Sequence, residues 1–187
     1  MPGAIDVNLG SATQVFTLTE YNAGQTPKCG QRIYNNNLGF GPIGDYIFLR
    51  NSQSTAIAAS LVCSALLGDR VWTTASITST TAPTPSCQLA ATTNNLPFGG
   101  VRVVGATSVA QNEFGWFQIS GAAVLTADAA GTAAEAYVTT SNATAGNVEA
   151  LVSTGAVDAV NAFGIARTTT TSGVVNVDLT NSVWSTR

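Results

Sequence analysis

Tyr46-Ile47-Phe48-Leu49-Arg50 is the stretch that decides the fold. An extended chain sends alternate side chains to opposite faces. Tyr46 and Phe48 then share one face, Ile47 and Leu49 the other, and both faces are apolar. A strand of that kind is expected in the middle of a structure, covered on both sides. Four further runs have strand character: Val15-Phe16-Thr17-Leu18-Thr19, Val101-Arg102-Val103-Val104, Phe114-Gly115-Trp116-Phe117-Gln118-Ile119 and Val174-Val175-Asn176-Val177-Asp178-Leu179. In the last, Val175, Val177 and Leu179 point one way and Asn176 and Asp178 the other. Weaker strands are expected at 71–74, 137–140 and 148–152.

Turn residues separate these runs. Asn35-Asn36-Asn37 with Gly39, Gly41, Pro42 and Gly44 forms one loop; residues 80–86, 94–100 and 168–173 form others. Helical signals are sparse. Residues 54–67 place Ile57, Leu61 and Ala65 on one helical face with Gly68 as a cap, and read either as a helix or as two short strands. Residues 127–136 are Ala-rich but interrupted by Gly131, enough for a single turn. The expected fold is mainly β. It is a compact β-sandwich or β-barrel-like domain with a short N-terminal arm and at most one or two short helices. Residues 1–20 supply the arm and first strand, and residues 21–187 the β-rich domain. Val103-Val104-Gly105-Ala106 followed by Phe114–Ile119 echoes Phe163-Gly164-Ile165-Ala166 followed by Val174–Leu179. The echo reflects either two related β modules, 21–110 and 111–187, or the repetition any β chain shows.

Composition narrows the function. Charged residues are 9% of 187, there is no histidine, and mean hydropathy is +0.23. Freely diffusing domains carry roughly 25–35% charged residues on their surfaces, so a chain this poor in charge has faces suited to contact. Lys28, Arg32, Arg50, Arg70, Arg102, Arg167 and Arg187 are scattered singly, which argues against nucleic acid and against an anionic membrane. No apolar run has the length of a spanning helix. Met1-Pro2-Gly3-Ala4-Ile5-Asp6 lacks the basic and apolar regions of a secretory signal, so synthesis in the cytoplasm is expected. Cys29, Cys63 and Cys87 show no paired spacing and are expected as reduced thiols, at least two of them buried.

Without histidine, Ser-His-Asp and Cys-His nucleophiles are excluded. Lys28 is the only lysine and sits in a turn-rich stretch. Glu113 beside the aromatic strand is the acid best placed for a raised pKa, but paired carboxylate catalysis has no further support. Asp128 and Glu135 flank Gly131 without the spacing of a calcium loop. Gly39-Phe40-Gly41-Pro42-Ile43-Gly44 matches G-x-G-x-x-G, yet a strand follows it where a dinucleotide site needs a helix. The chain is therefore expected to have no catalytic residues, no cofactor and no metal. The candidate contact residues are apolar. Ile5, Val7 and Leu9 share a face if the N-terminus is extended, and suit strand addition to a neighbouring sheet edge. Trp116 and Trp184 are candidate anchors of an oligomer interface.

Gln111-Asn112-Glu113-Phe114-Gly115-Trp116-Phe117-Gln118-Ile119-Ser120-Gly121 resembles a stretch of small tailed-phage virion proteins. Tyr137-Val138-Thr139-Thr140, and Phe163-Gly164-Ile165-Ala166 followed by Val174–Leu179, are similar to the closing segments of phage head decoration (cement) proteins. Leu38-Gly39 and Asp45–Arg50 are similar to their opening. The likeness covers residues 38–180 loosely, and residues 1–20 depart from it. It implies a bacteriophage decoration protein on the outer capsid surface of the virion, a homotrimer that bridges major capsid protein subunits. Two other classes fit the composition: a phage tail or fibre module that recognises host surface glycan, and a small carbohydrate-active enzyme. Far-UV circular dichroism is expected to show well under about a third helix, the share of an average globular protein.

Overall fold

One strand divides the interior into two cores. The computed structural model describes residues 9–66, 86–89, 98–151 and 162–180. In chain order these form β1 (Val15–Phe16), α1 (Leu18–Asn22), β2 (Arg32–Asn35), β3 (Gly44–Asn51), β4 (Val62–Leu66), β5 (Ser86–Leu89) and β6 (Phe98–Val101). There follow β7 (Phe114–Gln118), β8 (Gly121–Thr126), β9 (Tyr137–Thr140), β10 (Val148–Ala150), β11 (Gly164–Ala166) and β12 (Val174–Leu179). The first sheet has the order β1-β7-β6-β4-β5-β3-β2, the second β10-β9-β11-β12-β8. The chain changes sheet between Gln118 and Gly121.

Pairing between named strands is antiparallel except for β3 with β5. The first sheet folds back on itself, because β3 pairs with β7 as well as with β2 and β5. The joints are slight: β6 meets β7 at Val101↔Gln118, and β3 meets β5 at Arg50↔Ser86 and Asn51↔Cys87. No closed barrel results. The protein is mainly β, with two sheets packed face to face.

The two-faced reading of β3 explains that packing. Ile47 and Leu49 join Phe117, Ile119, Leu125, Val175 and Val177 in the core between the sheets. Phe98 and Phe163 stack across the same core with ring centroids 4.5 Å apart. Tyr46 and Phe48 point the other way, into a second core with Phe16, Phe114 and Trp116. That core is roofed by residues preceding β3, among them Ala12, Leu18, Tyr21 and Ile33. Phe48 meets Trp116 edge-on at 5.1 Å, and Tyr21 stacks on Phe114 at 4.3 Å. Each fully buried ring contributes roughly 1.5–3 kcal/mol from apolar area alone. In β12, Val175, Val177 and Leu179 are buried while Asn176 faces out and Asp178 is half-buried, as the alternation requires.

Several local readings change. The strand expected over 15–19 stops at Phe16. Thr17 and Glu20 form a capping box: the Thr17 N–H donates to the Glu20 carboxylate at 2.7 Å, and the Glu20 N–H to Thr17 Oγ1 at 3.3 Å. That reciprocal pair starts α1, the helix among the described residues. Residues 54–66 are not helical: Ile57 makes a single bridge to Val109, and one strand, β4, runs over Val62–Leu66. Residues 127–136 hold turns and no helix. Phe98-Gly99-Gly100, read as loop, belongs to β6. Gly100 has φ +132, and a Cβ there would lie 2.7 Å from the Phe117 Cβ. Glycine lets β6 approach β7, where a side chain would hold it off. The strand expected at 71–74 lies outside the described residues. Cys29, Cys63 and Cys87 are free thiols and all three are buried.

The strand expected over Val101–Val104 ends at Val101, because Arg102 turns inward. Its side chain is fully buried. Nε donates to Thr107 O, Nη1 to Ala12 O and Trp116 O, and Nη2 to Thr13 O and Gln14 O, at 2.8–3.1 Å. Every guanidinium N–H is thereby satisfied. Burial pulls its pKa down to about 10, so it remains charged at neutral pH. Arg102→Met is expected to destabilise the fold by at least about 3 kcal/mol, because the carbonyls that accept these charge-assisted bonds lose their donors. Denaturant unfolding measures the loss.

Candidate functional site

The loop between β2 and β3 is turn-rich in sequence and held by a set of hydrogen bonds. Asn35, buried at the end of β2, holds it from within. Its Nδ2 donates to Gly41 O at 2.9 Å and Pro42 O at 2.8 Å, and its Oδ1 accepts from the Asn37 N–H at 2.9 Å. Asn37 Oδ1 accepts from the Gly39 N–H at 2.8 Å. The Tyr46 hydroxyl donates to Pro42 O at 2.7 Å, and burial raises that phenol well above its ordinary value. The Ala12 N–H closes the set on Phe40 O at 2.7 Å. These bonds follow from side chains that readily bond to nearby backbone.

Leu38 stands at the tip of this fixed loop, 77% exposed, and Ile43 at its end is half exposed. Tyr34 on the adjacent edge strand β2 is 68% exposed. Beside the loop lies a cleft of about 190 Å³ lined by Pro42, Val104, Ala122, Val124 and Val177, with the exposed Arg167–Asp178 ion pair also lining it. The surface is thus apolar, partly aromatic and edged by one ion pair. It suits a protein contact, since interface cores are poor in charge and their rims polar.

Gly39–Gly44 is the body of this loop. It joins two antiparallel strands, so the phosphate-cradle geometry is absent from it. Gly44 has φ +152, and a Cβ on it would come within 2.1 Å of Ser120 O. The glycine serves the close passage of β3 over the β7–β8 connection.

The sequence candidates are placed as follows. Ile5, Val7 and Trp184 lie outside the described residues. Leu9 is 40% exposed, and its carbonyl accepts from the Trp116 indole Nε1 at 2.8 Å. Trp116 is fully buried in the second core, in contact with Phe40 and Phe48 of its own subunit. Leu9 and Trp116 are therefore brought together by one hydrogen bond.

Carboxylates mostly bind the backbone or a neighbouring hydroxyl. Glu113 accepts from the Ala110 N–H at 2.9 Å and closes a turn. Asp45 accepts from Ser120 Oγ at 2.7 Å. Asp128 accepts from the Ala130 and Gly131 N–H groups and from Ser141 Oγ, so it organises the turn rather than pairing with the exposed Glu135. Among the described residues no three His, Cys, Asp or Glu side chains gather as a metal site. Burial and the nearby Asp128 raise the pKa of Glu149, against the lowering effect of its bond from Asn142.

In the sequence Leu38 stood out only as part of the resemblance and not as a contact residue, although a lone leucine between Asn37 and Gly39 is the available signal. Arg102 gave less: one more scattered cation.

No family model matches the sequence, and no curated protein matches it. Among solved structures the chain is similar to the N base of the head fiber gp8.5 of bacteriophage phi29. Identity is 14% and the TM-score 0.44, over 75% of this chain and 98% of that one. No functional residue transfers at that level of likeness.

Glu149→Gln keeps an acceptor for Asn142 and removes the charge facing Asp128. A carboxyl whose folded pKa is raised costs stability once it ionises, so the cost is present at neutral pH and vanishes as pH falls below the carboxylate range. The variant is expected to gain less than about 1 kcal/mol at pH 7, given solvent screening, and nothing below about pH 4. Parallel urea titrations at the two pH values check the sign.

Proposed function

We propose that this chain is a bacteriophage virion structural protein. It decorates the outer surface of the head as a homotrimer and stabilises the shell by bridging major capsid protein subunits. The observation that carries the reading is the braced β2–β3 loop with Leu38 at its tip. A loop already fixed in one conformation loses little conformational entropy on docking. An apolar side chain held out on such a loop fits a pocket on a partner. The low charge of the chain and the resemblance of residues 38–180 to head decoration proteins support the same role. Weak contacts repeated around a shell add to strong overall binding. Residues 5, 7 and 9 supply a second contact by adding an extended segment to a sheet edge of the shell.

A second reading, a tail or fibre module gripping host surface glycan, draws on Tyr34 and Tyr137, both more than half exposed. Exposed aromatic rings offer an apolar body with a polar tip to a ligand.

Undecorated capsids of the phage that encodes the chain distinguish the two. Leu38→Asp is expected to leave circular dichroism unchanged and to weaken capsid binding by at least about tenfold, since burying a leucine is worth well over 1.4 kcal/mol. Deletion of residues 2–8, which spares the Leu9 carbonyl on Trp116, is expected to leave the fold intact and lower the same affinity. Unchanged capsid binding in both variants, together with glycan binding lost in Tyr34→Ala, would overturn the decoration reading in favour of the second.

A further inference from the structure

Two of the three buried thiols form a pair with no part in the contact surface. Cys63 on β4 and Cys87 on β5 are fully buried in the core between the sheets. On the antiparallel β4–β5 ladder Cys63 lies opposite Leu89 and Cys87 opposite Ala65. The two cysteines are therefore diagonal neighbours, separated along the strand by an even number of residues and so on one face. The Cys63 thiol is near enough to add to the effect of burial in raising the Cys87 pKa. On the other edge of β4 the register with β6 shifts between Cys63 and Ser64, an irregularity that lets a strand bend locally. Cys87 is also tied to the end of β3: it pairs with Asn51, and its carbonyl accepts from the Ser52 N–H just beyond at 3.0 Å. Cys29 belongs to the other core, on the far face of the first sheet.

We propose that Cys63 and Cys87 are a latent disulfide site: a peroxide oxidant links them within one folded chain, stapling β4 to β5 at the base of the 67–85 segment. The step balances. One sulfur, as thiolate, attacks hydrogen peroxide, breaks its O–O bond and becomes a sulfenic acid, releasing hydroxide that takes a proton to become water. The second thiol attacks that sulfur, forms the S–S bond and expels a second water. The two sulfurs lose two electrons in all, and peroxide gains them. Diagonal neighbours on a regular ladder lie farther apart than a disulfide allows, so closure to about 2.05 Å draws β4 and β5 together, a shift that the irregularity beside Cys63 accommodates. Burial raises the Cys87 thiol well above its ordinary pKa, so thiolate is scarce and the reaction is slow. The pair therefore stays reduced in a reducing cytoplasm and closes on prolonged exposure to an oxidising medium.

The purified full chain is treated with hydrogen peroxide for hours under native conditions, then unfolded, alkylated and mapped without reductant. The expected result is a fall from three free thiols to one, with the peptides of Cys63 and Cys87 joined in a monomeric chain. Oxidation is expected to raise the melting temperature by about 5–10 °C, because a loop of this length is closed in the unfolded state, and dithiothreitol is expected to reverse it. Cys29→Ala should still lose both of its thiols. Linkage through Cys29, linkage between chains, or three alkylated thiols after native oxidation would each overturn the proposal. The wild-type peptide map decides the question even if Cys63→Ala or Cys87→Ala fails to fold.

Discussion

The constraint on which the rest depends is a buried positive charge with carbonyl oxygens around it. Arg102 sits inside the protein, and its guanidinium bonds reach backbone at Ala12, Thr13, Gln14, Thr107 and Trp116. A desolvated cation is costly unless it is fully hydrogen-bonded. Here the planar fork of donors meets carbonyls from three separate stretches of chain, an arrangement a lysine cannot match. The consequence is positional. The segment leading into β1 is drawn across β6 and β7, and so becomes the roof of the second core. Trp116 adds its indole bond to Leu9 in the same direction. Tyr46 and Phe48 of β3 and Phe114 and Trp116 of β7 owe their burial to that roof.

The parts of the fold legible in the sequence are those where a single strand carries its own answer. Tyr46–Leu49 announces two apolar faces, and Val174–Leu179 announces one. The parts that were not legible depend on partners remote in sequence. Gly100 looks like a loop residue until Phe117 is placed against it. Residues 54–67 satisfy a helical period, but Ile57 pairs with Val109 and Val62 with Val101, and strand partners decide the outcome. Thr17-Leu18-Thr19-Glu20 did carry a local signal, a capping box hidden inside a β-branched run. At the site, the Asn and Gly residues of 35–44 marked a turn correctly. Nothing in their order said that Asn35 would be buried and brace it. An indole in an aromatic strand reads the same whether its ring faces a second copy or its own core, so Trp116 carried no directional information.

The scarcity of charge takes on a sharper meaning in three dimensions. Of the five basic residues among those described, Arg50 and Arg102 are internal. Cations that a composition count assigns to the surface are thus partly used as struts. What remains outside is dominated by Thr, Ser, Ala and Asn, with apolar points such as Leu38 and Val104 among them. Repulsion between copies is correspondingly weak, since few like charges are placed in opposition wherever two such surfaces meet.

The path of the chain also bears on its synthesis. Residues 12–14 leave the ribosome early, yet their carbonyls await Arg102, and Val15 and Phe16 await Gly115 and Phe114. Contacts of such long sequence separation slow folding, because the ends must find each other before any reward is collected. Until β7 emerges, Phe16 and Phe48 lack Phe114 and Trp116 and β3 lacks its longest ladder, and a nascent chain in that state is open to sticking to its neighbours. A protein made in many copies at once would therefore meet its greatest hazard during translation, in the interval between residues 51 and 118.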